Sequence, residues 1–147
     1  MIISIKMKNF YSIEDETVVD FTVGKASPKG NVYKDIGNRD FGKRISLINV
    51  FVGSNASGKT NIIKGLAALK HLIADSQSDP DGIGIYYFSP HAMHSGEETV
   101  LGAKFSIGKN IFEYTFEFNG RRILYEEMTE WSKSGERFTN KKIFSRK

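Results

Sequence analysis

The segment Gly53-Ser54-Asn55-Ala56-Ser57-Gly58-Lys59-Thr60 constrains this chain more than any other. Before it runs Ile45-Ser46-Leu47-Ile48-Asn49-Val50-Phe51-Val52, whose largely apolar make-up predicts a buried central strand. After it, Ile62, Leu66, Leu69 and Ile73 recur at spacings of four, three and four. That spacing predicts an amphipathic helix ending near Asp75, with Ile63 widening the apolar stripe and Lys64 and Lys70 facing water. A strand, a glycine-rich turn and a helix in this order predict an α/β fold.

The turn matches G-x-x-x-x-G-K-[ST] at every fixed position, and each position has a physical task. Gly53 lets the chain leave the strand in a tight turn, and Gly58 lets backbone approach phosphates with no Cβ in the way. Backbone N–H groups of residues 54–60 are expected to converge on a β-phosphate at the positive end of the helix. Lys59 is expected to span the β- and γ-phosphate oxygens as the catalytic residue, and Thr60 to place its hydroxyl on Mg²⁺. A lysine opening a helix is electrostatically misplaced unless an anion joins it. The expected nucleotide-binding set is Gly53, Ser54, Asn55, Ala56, Ser57, Gly58, Lys59, Thr60 and Asn61, with ATP and Mg²⁺ as ligands. GTP is disfavoured, because Asn-Lys-x-Asp is absent.

Composition narrows the field. The 147 residues contain no cysteine, which excludes disulfides, thiol nucleophiles and thiolate metal sites. A net charge of +4 permits a polyanionic partner without demanding one. No apolar run is long enough to span a bilayer, and Met1-Ile2-Ile3-Ser4-Ile5-Lys6 turns polar too early for a signal peptide, so a cytoplasmic location with no membrane partner is expected.

Met1 to Asn9 alternates apolar and polar residues and predicts a half-buried strand, with 17–23 as its antiparallel partner. Gly24 to Lys43 shows little periodicity and reads as a long surface loop. Ser76 to Asp81 reads as a turn and 83–88 as a short strand. Residues 100–107, 111–118, 121–131 and 138–144 read as further strands. The Asn119-Gly120 pair between two of them suits a hairpin turn.

The turn reads G-x-N-x-S-G-K-T, and Asn9-Phe10 followed by Ser12 closes the first strand. Together these resemble the ABC-type ATPase heads of the RecF, Rad50 and SMC group, most closely bacterial AAA-15/AAA-21-type ATP-binding proteins related to the overcoming-lysogenization-defect (OLD) ATPase–nucleases. The resemblance implies an N-terminal P-loop nucleotide-binding lobe over residues 1–147, with a mixed sheet against the P-loop helix and a strand-rich insertion. It divides as a hairpin at 1–23, a loop at 24–44, the strand, phosphate loop and helix at 45–75, and a mainly β region at 83–144. It also implies head-to-head homodimerisation around ATP, hydrolysis coupled to DNA repair or phage defence, and a DNA or nuclease partner. Tyr11 stands where many relatives carry arginine, and Ala56 where many carry glycine.

Hydrolysis also needs a carboxylate for Mg²⁺ and a group that positions water. Leu72-Ile73-Ala74-Asp75 continues the helix stripe, and Val18-Val19-Asp20 precedes the phosphate loop, so neither reads as a Walker B strand. Ser132-Lys133-Ser134-Gly135-Glu136 reads as a hairpin turn, not as a signature loop. The chain is therefore expected to be a fragment or truncated product whose ATPase activity is uncertain. The alternative is a non-catalytic nucleotide-sensing or protein-interaction module. His91 and His94, near Glu97 and Glu98, lack a recognised metal spacing and read as a solvated loop. The alternation of Phe112, Tyr114, Phe116 and Phe118 with Glu113, Thr115 and Glu117 reads as a sheet packed on a core, and Tyr86-Tyr87-Phe88 is a weak base-stacking candidate. Arg121-Arg122, Lys141-Lys142 and Arg146-Lys147 read as a solvated basic edge, and His71 as surface or interface.

Overall fold

The computed structural model describes residues 1–24, 32–36, 44–75, 89–119, 122–134 and 137–147. A six-stranded antiparallel sheet dominates, built from β1 (Ile2–Lys8), β2 (Thr17–Asp20), β5 (Thr99–Ile107), β6 (Asn110–Phe118), β7 (Ile123–Ser134) and β8 (Arg137–Arg146) in the order β2-β1-β5-β6-β7-β8. A two-stranded sheet pairs β3 (Tyr33–Asp35) with β4 (Arg44–Ser46). One α-helix, α1 (Lys59–Lys70), runs into a π-helical turn at His71–Asp75. The fold is mixed α/β with a mostly antiparallel sheet.

Alternation in the sequence explains the sheet. Ile3, Ile5 and Met7 of β1 point to one face, where Ala103 pairs opposite Ile5 and Leu101 opposite Met7. Tyr114, Phe116 and Phe118 extend that buried face along β6, while Glu113, Thr115 and Glu117 take the other. Each such fully buried aromatic or aliphatic side chain contributes about 1.5–3 kcal/mol. Gly108 (φ +60°) opens the two-residue turn joining β5 to β6, a backbone region that glycine enters without steric cost. β6 and β7 are antiparallel neighbours with Phe118 opposite Ile123, so four residues connect them; Asn119 Oδ1 accepts from Arg122 N–H at 3.2 Å, and Gly120 of the expected turn lies outside the described residues.

Helix α1 lies on this core through Gly65, Ala68 and Leu69, with Ile62, Leu66 and Leu72 packed beside them. A Cβ on Gly65 would stand 2.4 Å from Met7 Sδ, so the glycine sets how closely helix and sheet approach. The helical stripe is narrower than its sequence suggests: Ile63 is 59 % exposed and Ile73 is 45 % exposed.

Three expectations change. The central strand expected over 45–52 is only the short β4, paired with β3; residues 47–52 lie in no strand. Ile48, Val50 and Val52 face outward, at 67 %, 78 % and 90 % exposed, while Phe51 packs against the core. An apolar run reads as a buried strand only if neighbours flank it; here they do so as far as Leu47, whose N–H meets the Val32 carbonyl at 2.8 Å, and no strand among the described residues pairs with 48–52. The expected loop at 24–44 contains β3, whose three-residue length and exposed side chains gave no periodic signal. The second strand stops at Asp20, where its carboxylate accepts Thr22 N–H at 2.8 Å and turns the chain. The turn expected at 76–81 and the strand expected at 83–88, with Tyr86-Tyr87-Phe88, lie outside the described residues.

Candidate functional site

The phosphate loop is shaped by two backbone positions. Gly58 caps α1 in the left-handed region (φ +86°), and Ala56 shares that region at φ +64° despite its Cβ. Gly53 does not need positive φ; a Cβ there would meet Ser57 Oγ at 2.7 Å. A close approach within the loop thus favours glycine at this position.

Lys59 curls back over the loop. Its ammonium donates to the Gly53 carbonyl at 2.9 Å, to Ser57 Oγ at 3.1 Å and to the Ser54 carbonyl. These are neutral acceptors, so a phosphate oxygen arriving here would offer the ammonium a stronger, charge-assisted bond. The start of α1 has neither a side-chain cap nor an acidic residue in its first turn, which leaves its positive end without a charged complement from that turn. The cradle therefore fits a polyphosphate. Asn61, beyond the 54–60 stretch whose N–H groups are expected to meet phosphate, gives its own N–H to the Gly58 carbonyl at 2.9 Å.

Asn61 instead uses its side chain, donating from Nδ2 to Ser12 Oγ at 2.7 Å. Ser12 belongs to the turn after β1, where Asn9 (φ +49°) and Tyr11 (φ +52°) are both left-handed. Phe10 is fully buried beside Gly65, and its ring meets Tyr11 edge-on at 4.8 Å. Lys64 does not simply face water: its ammonium lies 3.9 Å from the Tyr11 ring centroid. The Asn-Phe turn and the phosphate loop thus form one continuous rim. The sequence pairs these segments only through resemblance, since 49 residues separate Ser12 from Asn61.

Asn9 is 2 % exposed and organises the far side of this turn. Its Nδ2 donates to the carbonyls of His94 (3.0 Å), Glu97 (3.1 Å) and Glu98 (3.3 Å), and its Oδ1 accepts His91 N–H at 2.8 Å. Tyr11 N–H adds a bond to the Ser89 carbonyl at 2.7 Å. The loop expected to be merely solvated is therefore tied to the core, with a 3₁₀ turn at Ala92–His94. His94 lies between two carboxylates, Nδ1 at 2.7 Å from Glu97 and Nε2 at 2.8 Å from Glu14. Those bonds, Glu97 first and then Glu14, hold the imidazole above its usual pKa, and His94 in turn holds Glu14 below its own. Sequence reading missed Glu14, which reaches the histidines from 80 residues away.

The remaining candidates do not join the site. Asp75 is the last residue of the π-helical turn and lies in no strand, so it stays a helix end and not a Walker B position. Asp20 serves its own turn. Ser132 to Glu136 falls where β7 gives way to β8, and Arg137 opens a strand, not a helix. Of the basic tail, Lys142 pairs with Glu127, Arg146 with Glu126, and Lys147 stands 6.0 Å from the Tyr125 ring, so acidic and aromatic groups of β7 meet much of its charge. Arg122 is exposed, while Arg121 lies outside the described residues. His71 is half-buried at the end of α1. No helix among the described residues is long and apolar enough to cross a membrane.

No curated protein matches the chain. A family of AAA domains described as AbiEii toxin-like, of a type IV toxin–antitoxin system, matches residues 48–147. The match contains the phosphate loop, α1 and strands β5 to β8, whereas the Asn-Phe turn precedes it. Such domains are nucleotide-binding, ATPase-like modules, typically with Mg²⁺. With a complete phosphate loop inside the matched stretch, this chain belongs to that AAA-type P-loop ATPase family.

Proposed function

We propose that the chain is the ATP–Mg²⁺-binding lobe of an ABC/SMC-like ATPase, related to the RecF, Rad50 and overcoming-lysogenization-defect group. The observation that carries this reading is the rim formed by the phosphate loop and the Asn-Phe turn, joined by Asn61 and Ser12. Residues 53–60 would wrap the β-phosphate, Lys59 would bind the β- and γ-phosphate oxygens, and the Thr60 hydroxyl would hold Mg²⁺. Magnesium bound there supplies neutralisation of charge on the transferring phosphoryl group.

The outward-facing side chains of Ile48, Val50 and Val52, directly before the phosphate loop, support a further step. A strand from another segment pairs with this ribbon and brings the carboxylate that hydrolysis needs. In the same reading two such lobes close head to head around ATP in the cytoplasm, and turnover drives a DNA-repair or phage-defence activity through a nucleic-acid or nuclease partner.

Calorimetric titration of ATP–Mg²⁺ into the chain and its Lys59→Ala variant, with phosphate release measured on the same samples, tests the proposal. Binding that disappears in the variant supports it. Turnover separates an active ATPase from a nucleotide sensor. Equal binding, or none in either protein at millimolar ATP, overturns the nucleotide reading and favours a protein-interaction module.

A further inference from the structure

Three side chains on the far side of the Asn-Phe turn converge in a way that ion pairing alone does not explain. Glu14, His91 and His94 each present a ligand-capable atom, and these atoms all lie within 4.8 Å of one another. The His91 and His94 rings are 5.7 Å apart, centroid to centroid, and tilted by 38°. A histidinium held by two carboxylates accounts for Glu14, His94 and Glu97. It does not involve His91, whose ring makes only a long capping bond, Nδ1 accepting Met93 N–H at 3.3 Å.

We propose that Glu14, His91 and His94 form a binding site for a divalent transition-metal ion of the zinc type. Two imidazoles and one carboxylate are a borderline-soft donor set that suits zinc better than magnesium or calcium. Tetrahedral zinc with bonds of about 2.0–2.2 Å sets its ligand atoms roughly 3.3–3.5 Å apart, so the widest separation in the cluster must close by about 1.4 Å and the His94 Nε2–Glu14 contact, at 2.8 Å, must open by about 0.5 Å. Glu14 is an exposed side chain free to make that adjustment. The ion enters between His94 Nε2 and Glu14, now 2.8 Å apart, and takes the place of their shared proton. Glu97, on His94 Nδ1, is then the outer carboxylate that orients a ligating imidazole. His91 contributes a ring nitrogen; the bond its Nδ1 accepts from Met93 N–H is long, at 3.3 Å, and yields readily.

The frame around the cluster is already rigid. Buried Asn9 fixes the backbone of both histidines through His91 N–H and the His94 carbonyl, and its own N–H holds the Glu14 carbonyl at 3.0 Å. One residue thus places all three ligand-bearing segments. A bound ion would clip the Asn-Phe turn to the 89–98 loop and so steady Tyr11 and Ser12 beside the phosphate loop. The proposal does not depend on nucleotide binding.

The test is calorimetry of zinc chloride into metal-stripped full chain, without nucleotide, beside His91→Ala, Glu97→Gln and Lys59→Ala. One zinc per chain, affinity lowered about tenfold or more in His91→Ala and in Glu97→Gln, and no change in Lys59→Ala support the site. Cobalt should give the intense visible bands of a four-coordinate centre in wild type and lose them in His91→Ala. His94→Ala is read only if its circular dichroism shows that it folds; His91→Ala, whose ring makes one long bond, keeps the test decisive. Equal zinc affinity in wild type and His91→Ala, or binding well below one per chain, overturns the proposal. Loss of ATP binding in Lys59→Ala with zinc binding intact shows the two sites to be separate.

Discussion

Asn61 Nδ2 donates to Ser12 Oγ at 2.7 Å, so the first turn of the phosphate-loop helix and the turn closing the first strand share a hydrogen bond. A double-mutant cycle with Ser12→Ala and Asn61→Ala should therefore show coupling of about 0.5–1.5 kcal/mol in urea denaturation. Both substitutions should also weaken ATP binding by calorimetry. Strictly additive effects would mean that the bond does not join the segments.

The two left-handed residues of the loop respond in opposite directions. Gly58→Ala should cost about 1–2 kcal/mol, because an L-residue resists that conformation. Its new Cβ would also lie 3.3 Å from Ser12 Oγ. Ala56→Gly removes the same penalty but loosens the unfolded chain by about 0.4–1 kcal/mol, so stability should hold or rise slightly. Denaturation midpoints of both variants check the pair, and a stable Gly58→Ala would contradict it.

Gly65→Ala tests the helix–sheet contact. Alanine improves helix propensity by about 1 kcal/mol. The new methyl would stand 2.4 Å from Met7 Sδ, and Met7 is fully buried, so its side chain must repack within the core. Overpacking of this kind costs about 1–3 kcal/mol, so the variant should be net destabilised. A melting temperature above that of the parent would reverse the conclusion.

Acid should loosen the pairing of β7 with β8. The Lys142 ammonium, and then the Tyr125 hydroxyl, hold the Glu127 carboxyl below its ordinary pKa of 4.5. A lowered folded-state value contributes stability that is complete above the unfolded pKa and is lost as pH falls through the folded one. Urea midpoints followed from about pH 7 to about pH 3 should fall more steeply for wild type than for Glu127→Gln. Parallel curves would remove Glu127 from the acid response.

The phosphate loop was legible because glycine, lysine and threonine at fixed spacing have few other uses, and β5 to β7 because alternation marks a one-sided sheet. Residues 47–52 misled for a physical reason: apolar runs report that a strand wants neighbours, not that the same chain provides them. Asn9 could be read only as half of a motif, since its partners His91 and Glu98 lie 82 and 89 residues away. Glu14 gave no signal for the same reason. Side chains that bridge distant segments leave no periodicity in either one.

The strand order β2-β1-β5 has a consequence for the birth of the protein. β5 through β8 are joined by short hairpins, whereas β1 must find β5 across the whole intervening stretch, with Lys8 opposite Val100. That long closure is the slow kind of pairing. On the ribosome, the phosphate loop emerges well before the strand that β1 needs as its neighbour. The nucleotide cradle is therefore made before the strand that completes its floor, and anything that delays the meander leaves a phosphate loop with nothing beneath it.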